Sequence, residues 1–431
     1  MYKTKEGRYY HIHGSLDASK TLEMIGLEPY RNDLKGYHEC IDAIEGAVKR
    51  FTVDELEKKN ADNKQAGAEV FTFEEFQNTP HGKAMKNLPP FTVQPFEKQT
   101  EKVPFENTST SNQALRGIRV LELCRIIAGP TIGRSLAALG ADVMKVTSEK
   151  LPDVPFFQVD GNTGKHCISL DLEEDVGRGE FEKLLREADI VIDGYRPGSL
   201  ERRGYGPKDL ARIAQDRKKG FVYVAEDCFG GTDVGGPEAE WAERRGWQQI
   251  ADCVTGVAWK QGNFMELEEP VIPPFPMSDY GTGALGAVAA LVGLYRRATE
   301  GGSWACRTSL VQYDLFLLSL GEHTSEVQDE LRKQHREEFF GLRHYDSVDK
   351  VGQTALTSIN KAHSNPFVDE LMQTALSPGL GGVRVKWPRE AVEVEGLDIG
   401  HVRPTRANGY DKGKDWEGWE RDEEILKGKN K

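Results

Sequence analysis

The chain has little that would hold it in a membrane, a disulfide framework or a nucleic-acid complex. Its longest apolar run, Ala284 to Leu294, is interrupted by Gly286 and Gly293 and falls short of the roughly 20 residues a helical span requires. Cysteine is scarce: Cys40, Cys124, Cys167, Cys228, Cys253 and Cys306 lie far apart and none forms a C-x-x-C pair. That pattern excludes a disulfide framework and a thiolate zinc site, and fits the reduced thiols of an intracellular protein. Basic residues are outnumbered, 56 Lys and Arg against 69 Asp and Glu, for a net charge of −13 over 431 residues. Such a surface repels phosphate polymers, so neither nucleic acid nor membrane is expected as a partner. No G-x-x-x-x-G-K-[ST] and no G-x-S-x-G occurs, which removes the phosphate loop and the nucleophile elbow. The first residues, MYKTKEGRYYHIHGS, hold no apolar h-region and no Arg/Ser-rich leader, and KGKNK at the end is no retention signal. A cytoplasmic location is the expectation.

What is present, 38% apolar residues, is enough for sizeable cores in two or three domains at about 150 residues each. Residues 1–104 are polar, with weak alternation over Gly7 to His13 and helix starts at Thr52 and Thr72, whose hydroxyls suit N-caps. Residues 105–114 fall within a charged, then Ser/Thr/Asn-rich stretch that reads as a linker. Residues 115–328 carry the clearest pattern. Short strands are predicted at Gly117–Leu123, Asp142–Val146, Cys167–Asp171, Asp189–Asp193 and Gly220–Ala225, with helices between them and a long helix from about Gly281 to Arg297. Val/Ile-rich strands alternating with helices predict a parallel sheet covered on both faces. Residues 329–407 complete the fold. Residues 408–431 form a charged tail, 13 of its 24 residues being charged, where a packed core is not expected.

Parallel α/β sheets bind ligands where their strands end. The turn after the first strand, Cys124-Arg-Ile-Ile-Ala-Gly-Pro130, resembles a nucleotide-binding strand–turn–helix but is not the dinucleotide fingerprint. Its Gly-Pro serves equally as a plain structural turn. The turn after the fourth strand, Gly194-Tyr-Arg-Pro-Gly-Ser-Leu-Glu-Arg-Arg-Gly204, joins three arginines to an aromatic ring. Arginine binds phosphate bidentately and a ring stacks on a base, so a phosphate-bearing adenine ligand suits it, as does a solvated basic turn. Asp279 precedes an apolar helix, the usual place for an N-cap, but Gly281 and Gly283 leave room beside it. His11 and His13 share a strand face and lack a third metal ligand nearby. Glu326 to Glu338 reads as a solvated helical face.

The run Leu115-Arg-Gly-Ile-Arg-Val-Leu-Glu-Leu-Cys-Arg-Ile-Ile-Ala-Gly-Pro130, followed by Leu136-Ala-Ala-Leu-Gly-Ala-Asp-Val-Met-Lys-Val146, resembles the opening of the class III CoA-transferases, the CaiB/BaiF superfamily. The likeness continues in order through Cys167–Leu172, Ala188–Gly204 and Phe229-Gly-Gly-Thr-Asp-Val-Gly-Gly-Pro237. It implies an α/β fold, a Rossmann-like parallel sheet forming a large domain with a smaller α+β domain, and an interlocked homodimer. It also implies transfer of coenzyme A between acyl-CoA and carboxylic acid substrates, with no metal, nicotinamide or flavin. Asp279 matches the family's nucleophile. Ile126, Ile127, Leu170, Tyr195, Arg202 and Arg245 match positions that contact CoA.

Several positions depart from the pattern. The family's G-[YH]-D reads Gly246-Trp-Gln248, and Ser148 and Glu173 stand where the family has basic residues. Trp247 cannot transfer a proton, which disfavours racemisation of 2-methylacyl-CoA. The glycine-rich loop of formyl-CoA transferase has no match after Asp279, so a catalytically inactive CoA-binding homologue stays open as the alternative. Tyr2–Tyr10 and Phe71–Phe76 resemble the small-domain portion that normally follows the large domain. Either the chain begins inside a preceding half-module or this segment supplies the small domain.

Overall fold

The computed structural model describes residues 1–105, 112–363, 369–413 and 415–416. Contacts divide the chain into two compact units, each assembled from separated stretches. Met1–Pro90, Asp227–Asp279 and Ser309–Pro366 form the first; Phe91–Glu226, Tyr280–Thr308 and Phe367–Lys431 form the second. The boundaries therefore do not follow the contiguous segments drawn from composition, because each unit is completed by chain that returns from the other.

In the first unit, β1 (Tyr2–Lys3), β2 (Tyr9–His13) and β3 (Ala66–Glu69) form a small antiparallel sheet. Helices Val53–Asp62 and Phe73–Asn78 start where the sequence places them. Thr52 and Thr72 accept from the Glu55 and Glu75 N–H groups, and those glutamates reach back to complete capping boxes. Tyr10, Ile25, Val48 and Leu56 are buried together beneath the sheet. Helices Gln248–Thr255 and Leu310–Ser319, in contact with each other, are apolar runs with one acid each, Asp252 and Asp314.

Of the two histidines of β2, His13 is taken up by packing. His13 stacks on Trp247 with ring centroids 5.3 Å apart. Its Nδ1 accepts from the Ser15 N–H at 2.8 Å and its Nε2 faces Gln249 Oε1 at 3.1 Å. Both ring nitrogens are thus engaged, and burial pulls the imidazole down to about 4.

The second unit is built on a seven-stranded sheet. Its strands are β4 (Phe91–Glu97), β5 (Arg119–Leu123), β6 (Asp142–Thr147), β7 (His166–Ser169), β8 (Ile190–Asp193), β9 (Val222–Asp227) and β10 (Ser303–Ser309). Their order is β4-β10-β9-β8-β5-β6-β7. The run β9-β8-β5-β6-β7 pairs in parallel, and its alternate residues, such as Leu121, Met144 and Val191 on one face and Val120, Val143 and Ile190 on the other, enter two separate cores. The chain winds outward from β5 through β6 to β7, then restarts on the other side at β8. The topological switch point lies between β5 and β8.

Several elements were not read from the sequence, β3, β4 and the hairpin of β11 (Met372–Ser377) and β12 (Val383–Pro388) among them. β4 pairs antiparallel with β10 at the sheet edge, and Pro95 within it is tolerated on an edge strand. The start of the charged tail is also packed, contrary to expectation. Trp416 is buried against Leu184, donating its indole N–H to the Leu184 carbonyl at 3.2 Å, and Asp411 accepts from the Cys167 N–H at 2.7 Å. The β11–β12 hairpin precedes this segment.

The long helix spans Met277–Thr299. Its Gly281-Thr-Gly-Ala-Leu-Gly286 spells the dinucleotide fingerprint but sits inside the helix, where the glycines serve close packing. A Cβ on Gly283 would come 2.4 Å from Thr131 Cβ, and one on Gly286 would come 2.6 Å from Ile132 Cδ1. The helix can therefore lie tight on helix Ala128–Ala138 only without side chains there.

Candidate functional site

The first unit gathers three carboxyl groups from three helices. Ser278 and Asp279 are the second and third residues of the long helix, where backbone N–H groups lack intrahelical partners. The Asp279 N–H donates instead to Gln248 Oε1 at 3.0 Å. Gln248 Nε2 donates to the Phe275 carbonyl at 3.0 Å and to Asp252 Oδ2 at 3.2 Å. Ser278 Oγ lies 3.0 Å from Asp252 Oδ1 and 2.6 Å from Asp314 Oδ1. Thr255 Oγ1 lies 3.0 Å from Asp314 Oδ2 and 2.7 Å from the Ala251 carbonyl. Gln248, Asp252, Thr255, Ser278 and Asp314 are all buried.

Asp279 differs from its two neighbours. Its surface is partly exposed, and among the described residues no hydrogen bond reaches its carboxyl group. It lies inside the helix and not at the cap position, and the bond formed at this residue uses its backbone. An N-cap brace, the commonplace role for an acid here, is therefore not what Asp279 does.

Burial raises the Asp279 carboxyl to about 8, with Asp252 adding to the shift. Asp252 is raised to about 7 by burial, opposed by its hydrogen bonds to Ser278 and Gln248. Asp314 is pushed well up by burial and then by Asp252. Unfolded aspartates ionise near pH 4, at about 3.9. Between that value and the folded ones, the native state holds protons that the unfolded state has lost. The stability these acids contribute is present below about pH 4 and is lost as pH rises through the folded values of about 7 and about 8. The urea midpoint should fall between about pH 5 and about pH 8.5, and fall less in Asp279→Asn. A parent midpoint that holds or rises over this window would contradict the assignment.

The second unit brings together the turns that follow β5 and β8, at the switch point. Cys124 is wedged between two motif glycines: a Cβ on either Gly129 or Gly194 would approach Cys124 Cβ to 2.7 Å. Ile127 takes φ +44°, a backbone rarely adopted by a β-branched residue, at the start of helix Ala128–Ala138. Ile126, Ile127 and Tyr195 line these strand ends half-buried. Two arginines join them: Arg196, one of the three in the turn after the fourth strand, and Arg125 from the turn after the first. The Arg125 guanidinium lies 5.9 Å from the Tyr195 ring centroid, and Arg196 is held below its ordinary value by burial and by Arg125. Exposed Arg202 belongs to the same loop as Tyr195, its guanidinium against Gly198. Leu170 is buried in the core with Leu123 and Val146, its side chain committed to packing. Arg245 lies in the first unit and donates to the Lys64 carbonyl. Of the departures, Glu173 pairs with Arg203 at 3.1 Å, and Ser148 Oγ accepts from the Lys150 N–H at 3.3 Å.

A family model described as CoA-transferase family III matches residues 115–372. The chain belongs to CoA-transferase family III. That makes it an enzyme of the CoA-transferase class, and the matched span includes β5 to β10 and Asp279. An "Acetyl-coenzyme A transferase nodX" of Hypoxylon pulicicidum is 33% identical over 426 residues, 95% of this chain and 70% of that protein. An "Acyl-CoA transferase" of Gibberella moniliformis is 33% identical over 324 residues, 74% of this chain and 56% of that protein. A solved CaiB/BaiF family protein from Brucella suis overlaps 70% of this chain and 97% of its own at a TM-score of 0.48 and 19% identity. Among the described residues, no helix is long and apolar enough to cross a membrane, and no group of three or more His, Cys, Asp or Glu is arranged to hold a metal.

Proposed function

We propose that this family III CoA-transferase moves coenzyme A from an acyl-CoA donor to a carboxylic acid acceptor, with Asp279 as the nucleophile. The observation that carries the reading is a carboxyl group left partly exposed and without a hydrogen-bond partner among the described residues, while its neighbours Asp252 and Asp314 are buried and bonded. A nucleophile needs a lone pair that nothing else occupies.

The ionised Asp279 attacks the thioester carbonyl carbon, the C–S bond breaks, and CoA thiolate leaves behind a mixed anhydride. The thiolate then attacks the aspartyl carbonyl carbon and expels the donor's acid as a carboxylate, leaving an aspartyl-CoA thioester. The acceptor carboxylate repeats both steps in reverse and restores Asp279. The thioester bond energy is retained throughout and water has to be excluded.

For the CoA portion, the proposal assigns Arg125, Arg196 and Arg202 to the phosphates and Tyr195 to the adenine ring, with Ile126 and Ile127 presenting turn backbone at the switch point. Arg196, held below its ordinary value by burial and then by Arg125, gains from an anion placed between the two guanidiniums. Arg245 and Leu170 remain part of the proposal through the resemblance alone. The homodimer belongs to it as well: the long helix carries Met277, Val288 and Tyr295, apolar and exposed, on one side.

The test is trapping. Incubation with acyl-CoA followed by hydroxylamine should convert Asp279 to its hydroxamate, a mass change confined to the peptide that contains it. An unmodified Asp279 under turnover with several acyl-CoA donors would remove it as the nucleophile.

A further inference from the structure

The buried part of the acid cluster poses a proton-counting problem. Four short contacts link it in series: Asp252 Oδ1 to Ser278 Oγ at 3.0 Å, Ser278 Oγ to Asp314 Oδ1 at 2.6 Å, Asp314 Oδ2 to Thr255 Oγ1 at 3.0 Å, and Thr255 Oγ1 to the Ala251 carbonyl at 2.7 Å. Each needs a proton between its two oxygens. Ser278 and Thr255 supply one each, and an ionised carboxylate only accepts. Two protons are missing, and the carboxyl groups are the remaining source.

The direction of every bond then follows. The Ala251 carbonyl can only accept, so Thr255 donates to it. Thr255 must accept from Asp314, whose single proton therefore sits on Oδ2. Asp314 Oδ1 must then accept from Ser278, and Ser278 must accept from Asp252 Oδ1. The remaining oxygen, Asp252 Oδ2, accepts from Gln248 Nε2. No other assignment makes all four bonds.

We propose that Asp252 and Asp314 are both protonated carboxylic acids in the folded protein, and that this one-way chain makes them positioning residues for Asp279. They act through Ser278, the residue before it, and through Gln248, which holds the Asp279 N–H. The link to turnover rests on Asp279 being the nucleophile; the protonation of the pair does not. The groups interacting with these acids are one another, Asp279, Ser278, Gln248, Thr255, Cys253 and Tyr313, and no Lys, Arg or His is among them. Burial without a cation favours the neutral form of both. Neutral partners also keep like charges away from Asp279 when it gives up its proton.

Two measurements test this on the full chain. Infrared spectra at about pH 6, where ordinary aspartates at about 3.9 have ionised, should retain the carbonyl stretch of a protonated acid, shifted on exchange into D2O. Asp252→Asn and Asp314→Asn should each reduce that band and the double variant should remove most of it. Absence of the band, or a band indifferent to both substitutions, overturns the proposal. In turnover, Asp252→Ala and Asp314→Ala should lower kcat by about tenfold or more with KM for the acyl-CoA changed less than about threefold, as misplacement of a reacting group does. Asparagine offers an N–H for the acid's O–H and a C=O for its carbonyl, so each Asn variant should recover most of the lost kcat. Asn variants as slow as the Ala variants would show that the acids are not donors. If Asp279→Ala itself leaves turnover intact, the nucleophile reading fails while the infrared result still decides the protonation state.

Discussion

Asp279→Ala should lower kcat for CoA transfer by at least about 10³-fold, equivalent to about 4 kcal/mol of barrier. In the proposed mechanism every step passes through covalent bonds to this carboxyl, so its removal would leave direct attack of one carboxylate on a thioester, without the enzyme-bound relay. KM for the acyl-CoA should move little, because the donors assigned to CoA lie on the turns after β5 and β8. Misfolding offers no alternative explanation. Taking away a partly exposed acid whose folded state resists ionisation should leave the unfolding midpoint at pH 8 equal to the parent's or higher. A variant that keeps more than about a tenth of the parental kcat would mean that another group forms the acyl bond.

Lys165→Met should lose about 3–5 kcal/mol of stability. Lys165 and Glu122 are both fully buried in the second unit, their Nζ and Oε2 2.5 Å apart. Lys165 Nζ also donates to the Pro130 carbonyl at 2.7 Å, tying β5 and the approach to β7 to the first turn of helix Ala128–Ala138. The site is tightly built: a Cβ on Gly133 would lie 1.9 Å from Glu122 Oε2. Removing the cation strands a carboxylate in the core, and that penalty, more than the value of the pair, sets the loss. The thermal midpoint should drop by roughly 10 °C. Glu122→Leu combined with Lys165→Met should recover most of it, since an apolar pair removes the stranded charge. A single variant within about 1 kcal/mol of the parent would rule out a buried ion pair at this place.

Much of the second unit was legible in the sequence for a physical reason. Strands buried on both faces are largely apolar, so Arg119–Leu123, Asp142–Thr147, Ile190–Asp193 and Val222–Asp227 stand out as Val/Ile/Leu-rich runs between helices. The two capping boxes were legible because Thr and Glu three residues apart satisfy backbone donors locally. β4 was not, since an edge strand with exposed side chains and a proline lacks both the apolar run and the alternation. At the candidate site, Asp279 was marked by its match to the family's pattern, but the partners of its neighbourhood are defined only by folding. Asp252 and Asp314 did leave a signal, the one acid in each of two largely apolar helical runs, Ile250–Val254 and Leu310–Leu318. A carboxyl placed there must be paid for by hydrogen bonds, and which groups supply them depends on how three helices meet. Arg125 and Arg196 were likewise visible as letters, and only the sheet order puts them side by side.

The antiparallel pairing of β4 with β10 has a consequence for how the protein is made. β4 leaves the ribosome roughly 200 residues ahead of its partner, and at about 5–20 residues per second the nascent chain carries that unpaired strand for roughly 10–40 s. Pro95, Gln94 and Glu97 along it are the kind of residues that discourage pairing with a stranger, so the features that hid this strand from sequence reading also guard it during translation.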